Sequence, residues 1–422
     1  MTDKRSDPTR VTRRRLLAGA GTLGVGVVAG GAAGFAVRGN ASSNQLSTPT
    51  SDVVPFHGDV QAGIVTDAQD RLAFASYTLA PGATVADVRT MLRDWTSAAV
   101  RLTQGLPVGP SDQPSVPTSD TGETTGSAPG RLTLTVGFGP SFFDNRLGLG
   151  ARKPRALADL PPLPNEDLDP AYGGGDLCIQ ACSDDPLVAF HAVRNLTRIG
   201  MGVVGLSWTE FGFGRTSTTS TTQSTPRNLL GFKDGTRNVK AQDTDLLDQF
   251  VWVGAETDQQ WLRGGTFLVA RRIRMFLENW DRDFLADQEN VIGRSKVSGA
   301  PLSGGVEGTA PDFAAKTADG VLAIPQTAHI RLASFEGNNG VRILRRGYSF
   351  TDGVDPVSGS LLGGLFFISF MKNPTQFAQL QTALGASDAL NTYIRHIGSA
   401  VFACPPGVSP SGYWGDALLS GF

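Results

Sequence analysis

At 422 residues the chain is long enough for two ordinary domains with sizeable cores, because single cores stop growing well below that size. A net charge of -2 with 40% apolar residues describes a globular protein and excludes a dedicated nucleic-acid binder, which would carry a basic excess. The three cysteines, Cys178, Cys182 and Cys404, are too few to hold a chain of this size by a disulfide framework.

Residues 1–41 read as an export signal. Thr12-Arg13-Arg14-Arg15-Leu16-Leu17 forms a basic region, an uncharged stretch runs from Leu16 to Val37, and the small residues Gly39 and Ala41 mark a cleavage site near Ala41. The pattern is of the twin-arginine type, which carries proteins already folded and suits those that load a cofactor before export. It implies an extracellular or cell-envelope location, with the twin-arginine machinery as a partner. The alternative for the same stretch is a retained membrane anchor, although its many glycines make it weakly apolar.

The spacing of Val85, Val88, Leu92, Trp95, Ala99 and Leu102 predicts a helix, with Thr84 as N-cap and Asp87 three residues on. Residues 109–130 and 215–226, rich in Ser, Thr, Gly and Pro, read as solvated loops too poor in apolar residues to bury anything. RLTLTVGFG and DLCIQACS alternate with period two and read as strands. On a strand, Cys178 and Cys182 lie about 13 Å apart, beyond disulfide reach, so they are small core residues. DDPLVAFHAVRNL, with Pro186 in its first turn, reads as a helix, and VVGLSWTEFGF as a strand.

The order over residues 60–214 is thus β-α-β-β-α-β, the ferredoxin-like pattern. The remainder repeats it, with GGTFLVARRIRM, RILRRGYSF and GGLFFISFM as strands and WDRDFLADQENVIG and NPTQFAQLQTAL as helices. The expected fold class is α+β, with two ferredoxin-like domains over residues 55–225 and 226–422, joined near residues 215–240.

No Cys/His cluster has zinc spacing, and no glycine-rich phosphate loop follows a strand. There are only four histidines. His57 reads as a turn or surface residue and His191 as a satisfied structural histidine within a helix. His396 precedes an apolar segment and has no evident chemical partner in the sequence. His329, in IPQTAHIRLASFEG, is by default structural, yet imidazole is also the usual proximal ligand of haem iron in peroxidases. Asp234, set between glycines in GFKDGTRN, has two readings as well: an Asx-type turn cap, or a carboxylate placed for chemistry.

Taken together, GFKDGTRN, AHIRLAS, ILRRGYSF, NVIGRSKVSGAPL and IGSAVFACPPGV resemble the dye-decolorizing (DyP-type) haem peroxidases. The resemblance is to the twin-arginine-exported branch that includes the deferrochelatase/peroxidases of bacterial iron-uptake operons. It implies a dimeric α/β barrel-like architecture, one haem b (iron protoporphyrin IX) per chain held in the second half, and a possible homo-oligomer. It makes His329 the proximal iron ligand, Asp234 the distal acid/base and Arg345 the distal arginine. Arg346 is the neighbouring alternative, and since adjacent strand residues face opposite ways, only one of the two reaches the iron pocket. Some relatives have Asn two residues beyond the arginine; here Gly347 stands there, removing one distal hydrogen bond. Arg294 becomes a partner for a haem propionate through paired guanidinium–carboxylate geometry.

The activity implied is oxidation of dyes, phenols or other aromatic reductants with hydrogen peroxide, through a ferryl and porphyrin-radical intermediate. A carboxylate titrates well below an imidazole, so a carboxylate proton shuttle implies an acidic optimum, about pH 3–5. Trp208, Trp252, Trp261, Trp280, Trp414, Tyr348, Tyr393 and Tyr413 are available as electron relays, each more simply read as packing. Two other functions compete: release of iron from haem, and haem carriage without turnover. The carrier gives no reason for Asp234 and Arg345. Asp388 is a weak candidate for the group that hydrogen-bonds the far nitrogen of His329.

Overall fold

Period-two alternation divides nearly every strand between two apolar cores. In the computed structural model, which describes residues 52–110 and 113–422, β1 (Arg71–Leu79) sends Leu72 and Phe74 to one core and Ala73, Ala75 and Tyr77 to another. The predicted signal over residues 1–41 lies outside the described residues.

The first half continues with α1 (Val85–Leu102), β2 (Thr133–Phe138), β3 (Leu177–Ser183), α2 (Pro186–Ile199) and β4 (Val204–Arg215). The helix starts are those the sequence announces. Thr84 Oγ1 accepts from the Asp87 N–H while the Asp87 carboxylate accepts from the Thr84 N–H, and Asp185 caps α2 ahead of Pro186. The strands are antiparallel in the order β2-β3-β1-β4.

The second half comprises α3 (Thr244–Phe250), β5 (Thr266–Met275), α4 (Leu277–Trp280), α5 (Leu285–Ile292), α6 (His329–Leu332), β6 (Leu344–Arg345), β7 (Tyr348–Val354), β8 (Leu361–Met371), α7 (Thr375–Ser387), β9 (Ile394–Cys404) and α8 (Asp416–Leu419). Its main strands run β9-β5-β8-β7, the same ferredoxin-like order. Two seams close the sheets into a barrel: β4 meets β7 at Phe213↔Ser349, and β2 meets β9 at Phe138↔Ala403. Aromatic rings from both halves fill the interior, with Phe74 5.2 Å from both Trp208 and Phe366. The three cysteines are free and buried, as their strand positions imply.

Three local expectations are corrected. The helix expected over 280–293 is shorter: within that span only α5, from Leu285, is helical beyond Trp280, the last residue of α4, and the Gln288 side chain donates to the carbonyls of Trp280 and Asp283 across the turn between them. The strand expected over 342–350 breaks between β6 and β7 at Arg346-Gly347. The run 215–226 is not a solvated loop along its whole length: Thr216 to Ser220 are buried, with Thr219 Oγ1 bonded to the Thr66 carbonyl and Ser217 Oγ to that of Arg345. The other predicted loop, 109–130, is exposed for the most part but is tied down by Asp120 and Glu123, which contact His191.

The halves differ where it matters for function. In the first, Val88, Leu92 and Trp95 of α1 and Ala192 and Leu196 of α2 lie directly in the core. In the second, an open space remains between the outer face of the sheet, presented by Ile273, Leu365 and Phe367, and α7, presented by Phe377 and Leu380.

Candidate active site

The GFKDGTRN turn is anchored from beneath. Trp280, fully buried, donates its indole N–H to the Leu230 carbonyl at 3.0 Å, and Phe232 packs against the Trp280 ring. Gly235 is required at its position: φ is +87°, and a Cβ there would stand 2.6 Å from Ser217 Cα. This turn presents Asp234 toward Arg345. Asp234 Oδ1 accepts from Arg345 Nη1 at 2.9 Å and from the Gly235 N–H at 2.8 Å, while Oδ2 accepts from Asn228 at 3.3 Å. Arg345 Nη2 also donates to the Thr236 carbonyl at 3.2 Å.

Arg346 goes the other way. It is wholly buried, donates to the Thr66 carbonyl and to Gln69 Oε1, and does not line the cavity. The two arginines part as neighbours on an extended chain do.

His329 opens α6, and its Nδ1 lies 2.7 Å from Asp388 Oδ2. Asp388 is itself fixed, since its Oδ1 accepts from the Leu390 N–H at 2.9 Å. A carboxylate at Nδ1 sets the tautomer, so Nε2 carries the lone pair. Among the described residues nothing bonds Nε2. Burial alone would lower the His329 pKa, but the charge and hydrogen bond of Asp388 outweigh it and raise the value. Asp234 raises it and Arg345 lowers it, so His329 lies within electrostatic reach of both.

His329, Asp234 and Arg345 line one cavity of about 270 Å³, with walls that include Ile273, Met275, Leu365 and Phe367. Arg294 lines it too, donating Nη1 to the carbonyls of Gly299 (2.7 Å) and Glu307 (3.0 Å). Burial, then the nearby Arg237 guanidinium, pull the Arg294 pKa down to about 10. The lining is cationic on balance, with Lys233, Arg237, Arg294, Arg342 and Arg345 against Asp234 and Asp388. Two further arginines, absent from the sequence-level site, share a ring: Arg237 and Arg342 lie 4.4 and 3.5 Å from the Phe335 centroid.

The remaining histidines sort clearly. His57 Nδ1 meets the Val408 carbonyl, and His191 is buried between Asp120 and Glu123. His396 has partners that its sequence context did not reveal: Arg271 Nε at 3.3 Å and Gln381 at 3.2 Å. It lines the same cavity, and burial, then Arg271 and Arg395, hold its pKa down to about 3. Of the aromatic residues considered as relays, Trp208, Trp261, Trp280, Trp414 and Tyr348 are buried packing residues, while Trp252, Tyr393 and Tyr413 are half-buried.

Residues 61–214 match the family model described as Dyp-type peroxidase, N-terminal, and residues 225–409 its C-terminal counterpart. The chain belongs to the Dyp-type peroxidase family. Among solved structures it is similar to ferric DtpA from Streptomyces lividans, at 38% identity and a TM-score of 0.81 over 89% of this chain and 100% of that one. A DyP-type peroxidase from Cellulomonas bogoriensis matches at 37% identity and a TM-score of 0.79, covering 88% and 99% of the two chains. Among curated relatives, the deferrochelatase of Escherichia coli K12 is 34% identical over 97% of both chains.

A Dyp-type peroxidase uses haem b to oxidise a reducing substrate with hydrogen peroxide. The residues that line the cavity fit that cofactor. A bare imidazole nitrogen, apolar walls for a flat macrocycle and excess guanidinium charge for its two carboxylates meet in one space.

Proposed function

We propose that Asp234 and Arg345 carry out the peroxide step of this haem peroxidase, with His329 as the iron ligand. The observation that supports this most is the 2.9 Å Asp234–Arg345 pair lining the same cavity as the unengaged Nε2 of His329. When bound, haem b supplies the iron at which the O–O bond is split and holds the two oxidising equivalents until a reductant takes them.

The chain supplies the proton handling. Asp234 would take a proton from one peroxide oxygen and return it to the departing one, so that water leaves instead of hydroxide. Arg345 stabilises the negative charge that builds as the bond breaks, and its hydrogen bond to Asp234 keeps the carboxylate aimed. Asp388 holds His329 in the tautomer that binds iron. Arg294 pairs with a propionate. Dyes, phenols and other aromatics are the reductants. Replacing Asp234 by Asn should leave haem bound and slow the reaction with peroxide by about 100-fold or more. An unchanged rate would remove Asp234 from this role.

The relatives named deferrochelatase motivate a second reading, release of iron from haem by the same cavity. Incubating the protein with haem and measuring free porphyrin separates the two: metal-free porphyrin supports iron release, and its absence with peroxide turnover supports the peroxidase alone. For location, residues 1–41 act as a twin-arginine signal ahead of ferredoxin-like halves over 55–225 and 226–422. Changing Arg13 and Arg14 to Lys should leave the protein in the cytoplasm, and unimpeded export would refute it.

A further inference from the structure

Arg345 lies on an edge strand of the sheet. It ends the two-residue strand β6, which pairs on one side only with β8. The main chain alternates, so the Arg346 N–H reaches the Ile368 carbonyl of β8 at 2.8 Å, while the N–H and C=O of Arg345 turn to the other side, where no strand runs among the described residues. Unpaired main-chain groups in the interior are costly, and a strand end without a neighbour is free to shift.

Asn238 fills that place. The Arg345 N–H donates to Asn238 Oδ1 at 2.8 Å, and Asn238 Nδ2 donates back to the Arg345 carbonyl at 2.9 Å. A side-chain carboxamide thus makes the paired donor and acceptor contacts that a neighbouring strand would make. The same Nδ2 donates to the Thr218 carbonyl at 3.0 Å, and a flipped amide would set like against like at all three contacts. Asn238 is 6% exposed, so these contacts are largely shielded from bulk solvent.

The clamp and the acid sit on one turn. Asp234 and the Thr236 carbonyl hold the guanidinium end of Arg345, and Asn238 holds its main chain. Gly235 and Arg237 both adopt positive φ, +87° and +60°, which bends 234–238 so that positions 234, 236 and 238 all meet Arg345. Among the described residues, only one other side chain, Ser217, bonds the Arg345 main chain, at its carbonyl.

We propose that Asn238 is a positioning residue for the peroxide step, its carboxamide replacing a missing strand beside Arg345 and fixing the guanidinium against Asp234. This rests on the role given to Arg345 above. The test uses the full, haem-loaded chain as wild type, Asn238→Ala, Asn238→Asp, Arg345→Leu and the double variant Asn238→Ala/Arg345→Leu. Three quantities are measured: the bimolecular rate with peroxide, the rate of the later reaction with reductant, and the affinity of the ferric protein for fluoride, a bound anion that needs a hydrogen-bond donor.

Both Asn238 variants should keep the haem absorption, lose between about 10- and 100-fold in the peroxide rate, lose fluoride affinity in parallel, and leave the reductant step unchanged. The double variant should be no slower than Arg345→Leu. If Arg345→Leu itself reacts normally with peroxide, the role of Arg345 fails and the inference falls with it. If Arg345→Leu is slow while the Asn238 variants are normal, or the two losses multiply in the double variant, only the positioning role is overturned. Loss of haem from both Asn238→Ala and Asn238→Asp also overturns it, since it assigns Asn238 to the fold.

Discussion

Asp388 and His329, 59 residues apart in sequence, share a 2.7 Å hydrogen bond that leaves the other imidazole nitrogen unengaged. Outer partners of this kind align a metal-binding imidazole and increase its basicity. Asp388→Asn preserves size while removing the charge, and should weaken haem binding or turnover by about 10- to 100-fold. Titrating haem into both proteins, followed by a turnover assay, checks it; equal affinity and rate would show that Asp388 only caps Leu390.

Arg345 meets Asp234 and the Thr236 carbonyl with two different nitrogens. A lysine is a point donor without that fork. Arg345→Lys should therefore keep haem and slow the peroxide reaction by about 100-fold, the usual loss for one misplaced charge-stabilising donor. Stopped-flow mixing measures it, and a loss below twofold would contradict the assignment.

His396 provides a stability prediction with a definite sign. Its folded pKa is depressed from 6.5 to about 3, by burial first and then by Arg271 and Arg395. Below pH 6.5 the unfolded chain takes up a proton that the folded protein refuses. The stability this residue contributes is thus full above pH 6.5 and is lost progressively as pH falls toward 3, by something on the order of 5 kcal/mol. His396→Gln should flatten the difference between pH 6.5 and pH 4 in denaturant titrations. Parallel wild-type and variant curves over that range would show that His396 does not titrate this way.

The packing around Gly347 leaves no room for a side chain. A Cβ would lie 2.8 Å from Thr216 Oγ1, 3.2 Å from Leu365 Cδ1 and 3.3 Å from the Phe366 carbonyl. Thr216 is buried. Gly347→Ala should cost about 1–3 kcal/mol through overpacking, visible as a lower melting temperature. Unchanged melting would mean that β6 and β7 adjust freely.

Local signals made much of this architecture legible. The Thr84–Asp87 capping box, Pro186 after Asp185 and the alternation in β2 and β3 all act within a few residues, and each forms as the pattern requires. What composition hid was satisfaction at a distance. Thr216 to Ser220 look soluble, yet they are buried because Ser217 and Thr219 find carbonyls at Arg345 and Thr66. Asn238 was in plain view in GFKDGTRN, but its partner is 107 residues away and no spacing announces it. Asp388 and His396 were obscure for the same reason, as their partners lie on other elements. The turn between α4 and α5 is bridged by one glutamine side chain reaching two carbonyls, a contact that helical periodicity does not encode.

The proposed roles of His329 as the iron ligand and of Asp234 and Arg345 in the peroxide step are tested most directly by absorption spectra of purified wild-type protein and His329→Ala after haem loading, recorded before and after one equivalent of hydrogen peroxide. The wild type should show a strong haem band that shifts within the mixing time, whereas His329→Ala should lose the band or most of its haem and show no shift. A variant with full haem content and an unaltered response to peroxide would place the iron on another residue and contradict the account.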